Sequence, residues 1–265
     1  MAFVALITGA SSGIGEATAR RVAREPDAQL VLVARREGRL RRLADELGGA
    51  TVIAEDLTDA GAAARVREVV DHEHGELHMF VNNAGARWPG EFADSGADSV
   101  NRHMQLNFEA PVRLTEALLP VLRTTARRPG GRRVSIVNVA STAARVARPG
   151  AAAYSASKFA LAGWSDGLYA EERPHGVHVG IVLPGYVATE GFPAAELVAR
   201  AATRWLVSDP EVVAEAIMEA GPGGRAERYA PRYYWIFAAL RILAPRVVRG
   251  AVAGGAFTPA AGSGE

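Results

Sequence analysis

Tyr154 and Lys158 lie four residues apart, and Lys158 is the single lysine among 30 basic residues, all the others being arginine. A solvated surface accepts either cation, so position 158 is marked as one where a guanidinium will not serve. An ammonium is a compact point charge that fits beside a phenol, whereas a guanidinium is a wide planar fork with fixed donor directions. A free phenol has a pKa of about 10 and is almost wholly protonated at neutral pH, which makes it a sluggish base until its anion is favoured. On a helix, residues i and i+4 share a face, so the Lys158 ammonium is expected to reach Tyr154 and lower its pKa. Such a tyrosine would hand a proton to a carbonyl oxygen during reduction, or take one from an alcohol during oxidation.

A second constellation sits near the start. Residues 8–15 read Thr8-Gly9-Ala10-Ser11-Ser12-Gly13-Ile14-Gly15, between an apolar run and a helical pattern. Glycines at such a turn let the backbone bend sharply and approach a pyrophosphate, which then rests on the unpaired amides of the helix N-terminus. The same residues satisfy Gly-x-Ser-x-Gly through Gly9, Ser11 and Gly13, the spacing of a hydrolase nucleophile elbow. An elbow follows several strands and an oxyanion loop, and only eight residues precede Gly9 here. His72, His74 and His78 fall in a polar stretch that reads as solvated, so neither a triad nor a metal site is expected.

The elements that must hold these residues are legible in the apolar pattern. Short apolar runs at Phe3 to Ile7, Leu30 to Ala34, Thr51 to Ala54, Leu77 to Val81, Val134 to Val139 and Val177 to Leu183 read as strands. Helical periodicity covers Ile14 to Glu25, Arg36 to Leu47, Ala62 to His72, Ser99 to Thr124 and Ala153 to Glu172. This alternation predicts an α/β fold, a doubly wound parallel sheet of Rossmann type, in one domain over residues 1–253. Residues 254–265 are too poor in apolar side chains to be ordered. A net charge of +1 gives no field that favours nucleic acid, and the absence of cysteine excludes disulfides and thiol chemistry. Met1 to Ile7 already reads as a core strand, so no leader and a cytoplasmic location are expected.

With both constellations in place, the chain resembles the short-chain dehydrogenase/reductase family in its single-domain form, from Phe3 to about Thr189. The Thr-Gly-x-x-x-Gly-x-Gly spacing matches at Thr8 to Gly15. Asn82-Asn83-Ala84-Gly85 is similar to the family's turn beside the adenine ribose, and Asp56-Leu57 to the pair that contacts the adenine ring. Pro184-Gly185, with Val187 and Thr189, resembles the segment at the nicotinamide end. The resemblance implies that Ser141, thirteen residues before Tyr154, donates to the substrate oxygen as negative charge develops there. It also implies that Asn107 holds a water against Lys158 in a proton relay. Cofactor contacts are then expected from Gly9, Ser11, Ser12, Gly13, Ile14, Gly15, Asp56, Leu57, Asn83, Ala84, Gly85, Tyr154, Lys158, Pro184, Gly185, Val187 and Thr189. A homodimer or homotetramer built on the helices of Asn107 and Tyr154 is expected by the same analogy.

Cofactor choice turns on the end of the second strand. An NAD-specific fold usually places Asp or Glu there to bind the ribose 2′-hydroxyl, and Ala34 offers a methyl group instead. Arg35 beside it can pair with a 2′-phosphate. NADP(H) is therefore expected, with NAD(H) as the alternative, and the reaction interconverts a carbonyl and an alcohol on a small, apolar substrate. An NAD-dependent alcohol dehydrogenase and a non-catalytic NADP(H)-sensing protein are the competing readings. Substrate walls are expected from Ala86 to Ala93, Thr142 to Arg148 and Tyr186 to Leu206, including Trp88, Phe92, Phe192 and Trp205. The apolar, arginine-bearing segment 231–250 is expected to cover the cleft, to join another subunit or to lie on a membrane surface, ranked in that order.

Overall fold

The computed structural model of the chain describes residues 2–190, 198–199 and 204–254; Phe192 and the tail beyond residue 254 lie outside the described residues. Seven parallel strands form one sheet in the order β3-β2-β1-β4-β5-β6-β9: β1 (Phe3–Thr8), β2 (Ala28–Ala34), β3 (Thr51–Ala54), β4 (Met79–Asn82), β5 (Val134–Val139), β6 (Val177–Pro184) and β9 (Glu227–Ala230). Phe3, Ala5 and Ile7 of β1 enter the core on one face, with Leu30 and Leu32; Val4 and Leu6 enter the other, with Val31, Val33 and Phe80. A strand covered on both faces needs apolar side chains at successive positions, which is why these strands read as unbroken runs.

Helices α1 (Gly13–Val22), α2 (Glu37–Glu46) and α3 (Ala62–Glu73) make the crossovers of the first half. The chain winds outward through β1, β2 and β3, then returns to lay β4 on the other side of β1. That reversal opens a crevice at the carboxyl ends of β1 and β4, where doubly wound sheets bind ligands.

The predicted helix from Ser99 to Thr124 is interrupted. α4 (Phe92–Met104) runs into a π turn, Gln105–Glu109, and continues as α5 (Ala110–Ala126). Pro111 has no N–H with which to bond the Asn107 carbonyl, so a regular ladder cannot pass through this point. α4 also starts earlier than expected, through a kink at Gly96, whose φ of 53° is open to glycine. β4 begins at Met79 rather than Leu77 because the Leu77 amide is taken by Thr125 Oγ1 at 3.0 Å.

Beyond α6 (Ala152–Glu172) the sheet gains an unpredicted strand. β9 pairs with β6 from Ile181↔Glu227 to Pro184↔Ala230, and α7 (Pro210–Ala220) packs on α1. β9 is short and charged because it is an edge: Glu227 pairs with Arg145, and Arg228 with Glu219. Two short strands, β7 (Tyr186–Val187) and β8 (Val207–Ser208), pair separately. The apolar segment after Pro231 forms a turn (Arg232–Tyr234) and two helices, α8 (Trp235–Leu243) and α9 (Pro245–Ala253). Pro245 opens α9, which suits its fixed φ and missing N–H. No helix among the described residues is long and apolar enough to cross a membrane.

A buried polar chain ties the second half together. Asn82 Nδ2 donates to Asn138 Oδ1 at 2.9 Å, and Asn138 Nδ2 donates to Ser165 Oγ at 2.9 Å, joining β4, β5 and α6. Asn138→Ala would leave the Asn82 amide only its long contact to Thr115 Oγ1 at 3.4 Å and Ser165 without its Asn138 donor. The expected loss is about 1–3 kcal/mol of unfolding free energy by urea titration, with no gain from pH or salt.

Candidate active site

Thr8, the last residue of β1, fixes the glycine turn to the turn after β4. Its hydroxyl donates to Val81 O at 3.1 Å and accepts from the amides of Asn83 at 2.9 Å and Ala84 at 3.0 Å. Asn83 Nδ2 donates to Thr8 O at 2.8 Å. Gly9 has φ of 68° and Gly13 φ of 55°, both in the region that favours glycine. Gly15 is required by space: a Cβ there would lie 2.2 Å from the Gly9 carbonyl oxygen.

These turns border a groove of two contiguous cavities, of about 310 and 220 Å³, which share Ile14, Asn83, Gly85, Ala86 and Thr189. The first takes Gly9, Ser11, Ser12, Gly13, Ile14, Arg35, Asp56, Leu57, Asn83, Ala84 and Gly85; the second adds Ser141, Tyr154, Lys158, Pro184, Gly185, Val187 and Thr189. Every residue expected to bind cofactor or to react therefore lines the groove except Gly15, beneath the turn, and Asn107, behind it.

Ser141 follows β5 and caps the short helical turn Thr142–Ala144 in extended backbone, accepting from the Ala143 amide at 3.1 Å. Its hydroxyl donates to the Pro184 carbonyl at 3.5 Å and lies beside the Tyr154 phenol, where it favours the phenolate. Lys158 Nζ donates to the Val139 carbonyl at 2.9 Å, at the end of the same strand. Asn107 lies fully buried in the π turn, where its Oδ1 accepts from Ala86 N at 2.9 Å and its Nδ2 donates to Ala86 O at 3.0 Å and Ser157 Oγ at 3.1 Å. π turns recur at functional positions. A Cβ on Gly85 would stand 3.0 Å from Asn107 Oδ1 and 3.4 Å from Lys158 Nζ, so glycine keeps the space between them open.

This geometry agrees with what the chain is similar to. A family profile described as short chain dehydrogenase matches residues 3–196. Oxidoreductase UcpA of Salmonella typhimurium is 37% identical over 226 residues, covering 82% of this chain and 80% of that protein. The chain belongs to the short-chain dehydrogenase family. Dehydrogenase/reductase SDR family member 7B of Bos taurus is 34% identical over 196 residues, 70% of this chain and 58% of the relative. The crystal structure of a short-chain dehydrogenase from Streptomyces avermitilis superimposes with a TM-score of 0.77 at 30% identity, covering 96% of both chains. The protein is thus an oxidoreductase acting between CH–OH and C=O groups of small molecules, of a family that binds NAD(P)(H). The two left-handed glycines, the close approach at Gly15 and the long groove fit a dinucleotide.

As a member of this family, the chain has several features that its sequence did not announce. Arg36, the first residue of the predicted helix, lies across the glycine turn: Nε donates to Ser11 Oγ at 3.2 Å and Nη2 to Ser12 Oγ at 2.6 Å. Arg35 is exposed and 3.7 Å from Asp56, whose carboxylate is mainly occupied by Thr58. The aromatic wall also differs. Trp88 is held by His103 and by Arg102, 4.0 Å above its ring, while Phe92 and Trp205 are exposed. In their place Tyr186, Tyr229, Tyr234 and Phe237 line an apolar cavity of about 190 Å³ beside the catalytic end. Arg148 and Tyr186 line both spaces, with the Arg148 guanidinium 4.6 Å over the Tyr186 ring. Tyr234 packs directly on Gly185, tying the C-terminal segment to the groove. Adjacency to Arg35 was the only sequence signal for Arg36; Tyr186, Tyr234 and Phe237 fall in stretches expected to wall or cover the cleft, whereas nothing pointed to Tyr229.

His78 is buried rather than solvated, accepting from the Val4 amide at 3.3 Å. No metal-holding cluster occurs among the described residues.

Burial dominates the ionisation of the central pair. It lowers Lys158 to about 8 and pushes the Tyr154 phenol up, opposed by the Ser141 hydrogen bond and by the charges of Arg148 and Arg87. The expected lowering of Tyr154 by Lys158 is therefore not the net effect here, because desolvation penalises the phenolate first. Between pH 8 and the ordinary lysine value of 10.5, the unfolded chain holds a proton that the folded one has released, so stability rises with pH. Buried tyrosines such as Tyr229, pushed up to about 12, reverse this trend above the ordinary value of 10.0, where the unfolded phenols ionise. The wild-type urea midpoint should thus gain a Lys158 contribution from about pH 8 to 10 that Lys158→Met lacks; identical pH slopes in the two proteins would refute it.

Proposed function

We propose that this chain is an NADPH-preferring carbonyl reductase, reversible as an alcohol dehydrogenase, that works in the cytoplasm on small apolar substrates. The observation that carries the reading is the meeting of Ser141, Tyr154 and Lys158 at one end of a dinucleotide-sized groove, with Asn107 directly behind. The nicotinamide supplies or accepts the hydride when bound. Tyr154, kept protonated by burial, gives its proton to the substrate oxygen in the reducing direction. Ser141 donates a hydrogen bond to that oxygen as charge builds on it. The phenolate left behind is stabilised by the ammonium of Lys158 and the guanidinium of Arg148, both in the same cavity wall. Asn107 clamps Ala86, which positions the turn that borders the reacting end, and its nearness to Lys158 across the gap at Gly85 supports a part in the relay.

Preference for NADPH is supported by Ala34, Arg35 and Arg36 together in the wall of the first cavity. Arg36 and Arg39 grip the Glu190 carboxylate at 3.1 and 2.7 Å, which supports their fitness for another anion at the same spot. An apolar substrate is supported by the tyrosine-lined cavity beyond Arg148, and a lid role by Phe237 and Leu240 in its wall. Assembly into a dimer or tetramer through α4, α5 and α6 belongs to the same reading, with Phe159 exposed on α6. A purely sensing protein would have no use for the complete Ser141, Tyr154 and Lys158 set.

Purified protein with NADPH and a panel of apolar ketones, aldehydes and quinones should show loss of cofactor absorbance; no turnover with any of them would overturn the proposal. Lys158→Arg should lower turnover at least ~100-fold although charge is kept, and Tyr154→Phe at least as much with cofactor binding nearly intact. Titrated by fluorescence, NADPH should bind more tightly than NADH by ~1.5 to 3 kcal/mol, and Arg35→Ala combined with Arg36→Ala should erase most of that gap. Equal wild-type affinities would refute the preference.

A further inference from the structure

Helix α8 is apolar except for Arg241. Ala238 is buried and Phe237 and Leu240 line the apolar cavity, yet the outer side leaves Trp235, Ile236, Ile242 and Leu243 exposed. Ile242 is 77% exposed, Leu243 80%, and Val247 of α9 adds 71%. An apolar ridge of this kind marks a docking surface.

The charge around it identifies the occupant. From Pro231 to Gly254 the chain carries Arg232, Arg241, Arg246 and Arg249 and no aspartate or glutamate, in a protein whose total is only +1. Arg232 is engaged by Glu219, which leaves three arginines flanking the ridge. A second copy meeting this face across a two-fold axis would bring two positively charged surfaces together with no acid from either segment between them. A lipid surface with anionic headgroups instead complements both the ridge and the charge. Each helix has nine residues, too few to cross a bilayer and suited to lying in its interface.

We propose that the α8–α9 pair seats this protein on an anionic lipid surface, with Ile242, Leu243 and Val247 at the acyl boundary and the arginines among the headgroups. Leu240, Val247, Val248 and Ala251 of the same pair wall the apolar cavity, so a lipophilic carbonyl compound would pass to Tyr154 directly from the bilayer. That last consequence rests on the carbonyl-reductase reading, whereas the docking does not.

The test is co-sedimentation of the full chain with vesicles of phosphatidylcholine alone or mixed with phosphatidylglycerol, together with lipid-free light scattering. Binding to the anionic vesicles is expected to exceed binding to phosphatidylcholine at least ~10-fold and to fall with salt. Ile242→Glu with Leu243→Glu should lose at least ~10-fold in binding at an unchanged melting temperature. Should that variant unfold, Arg246→Gln with Arg249→Gln, which keeps the ridge, should still remove the anionic preference. Absence of that preference in the wild-type protein overturns the proposal. So does a drop in lipid-free mass for the glutamate variant, because the ridge is then a subunit interface. Intact vesicle binding without carbonyl turnover would sink the proposed reaction and leave the docking standing.

Discussion

A single ammonium withdrawn from water sets the terms for the reacting end of this protein. Lys158 is buried between α6 and the end of β5, with the Val139 carbonyl as its direct acceptor. Removing a charge from solvent is unfavourable unless dipoles and partners replace the water. The surrounding architecture supplies one such group directly, the strand-end carbonyl of Val139, and holds the amide oxygen of Asn107 across the gap at Gly85. A guanidinium would need several acceptors in one plane and a wider space, which explains a chain that writes arginine at every other basic position. The same desolvation that depresses Lys158 keeps Tyr154 protonated, so the two members of the pair are tuned in opposite directions by one environment.

That environment exists only because two turns at the sheet's carboxyl edge are locked together. Thr8 belongs to the first strand and Asn83 to the turn after the fourth, yet each satisfies the other's backbone. The lock forms at the topological reversal, where neighbouring strands send their helices to opposite faces and leave the edge open. From the other side, the buried Asn82, Asn138 and Ser165 chain holds α6 to the sheet and with it the helix that carries Tyr154 and Lys158. Nucleotide groove and proton-transfer groups are therefore two ends of one hydrogen-bonded frame.

The parts readable in the sequence are those with a local physical cause. Gly9, Gly13 and Gly15 are dictated by backbone angles and a close approach; the central strands by burial on both faces; Tyr154 and Lys158 by helical spacing. What escaped the sequence depends on distant neighbours. β9 is an edge strand whose charges are answered by Arg145 and Glu219, so it lacks the apolar signature of the others. Trp88 looks like a substrate wall until Arg102 and His103 claim it. Arg36 differs from its many arginine neighbours only in the direction its side chain takes across Ser11 and Ser12. The net shift of Tyr154 needed the depth of its burial, which no spacing encodes.

The π turn at Gln105–Glu109 accommodates one residue more than a regular helix would in the same length. It puts α4 and α5 out of phase, so the segment is sensitive to the number of its residues as well as to their kind. Removing one residue there would restore the α-helical phase between α4 and α5, with Pro111 still leaving one carbonyl of the ladder without an amide partner. It would also turn everything on the N-terminal side by about 100° about the helix axis. Ala86 would then lose its amide clamp while the fold survived. Chains of this architecture that are one residue shorter in this helix should be stable nucleotide binders without the reaction, a length polymorphism that separates folding from catalysis.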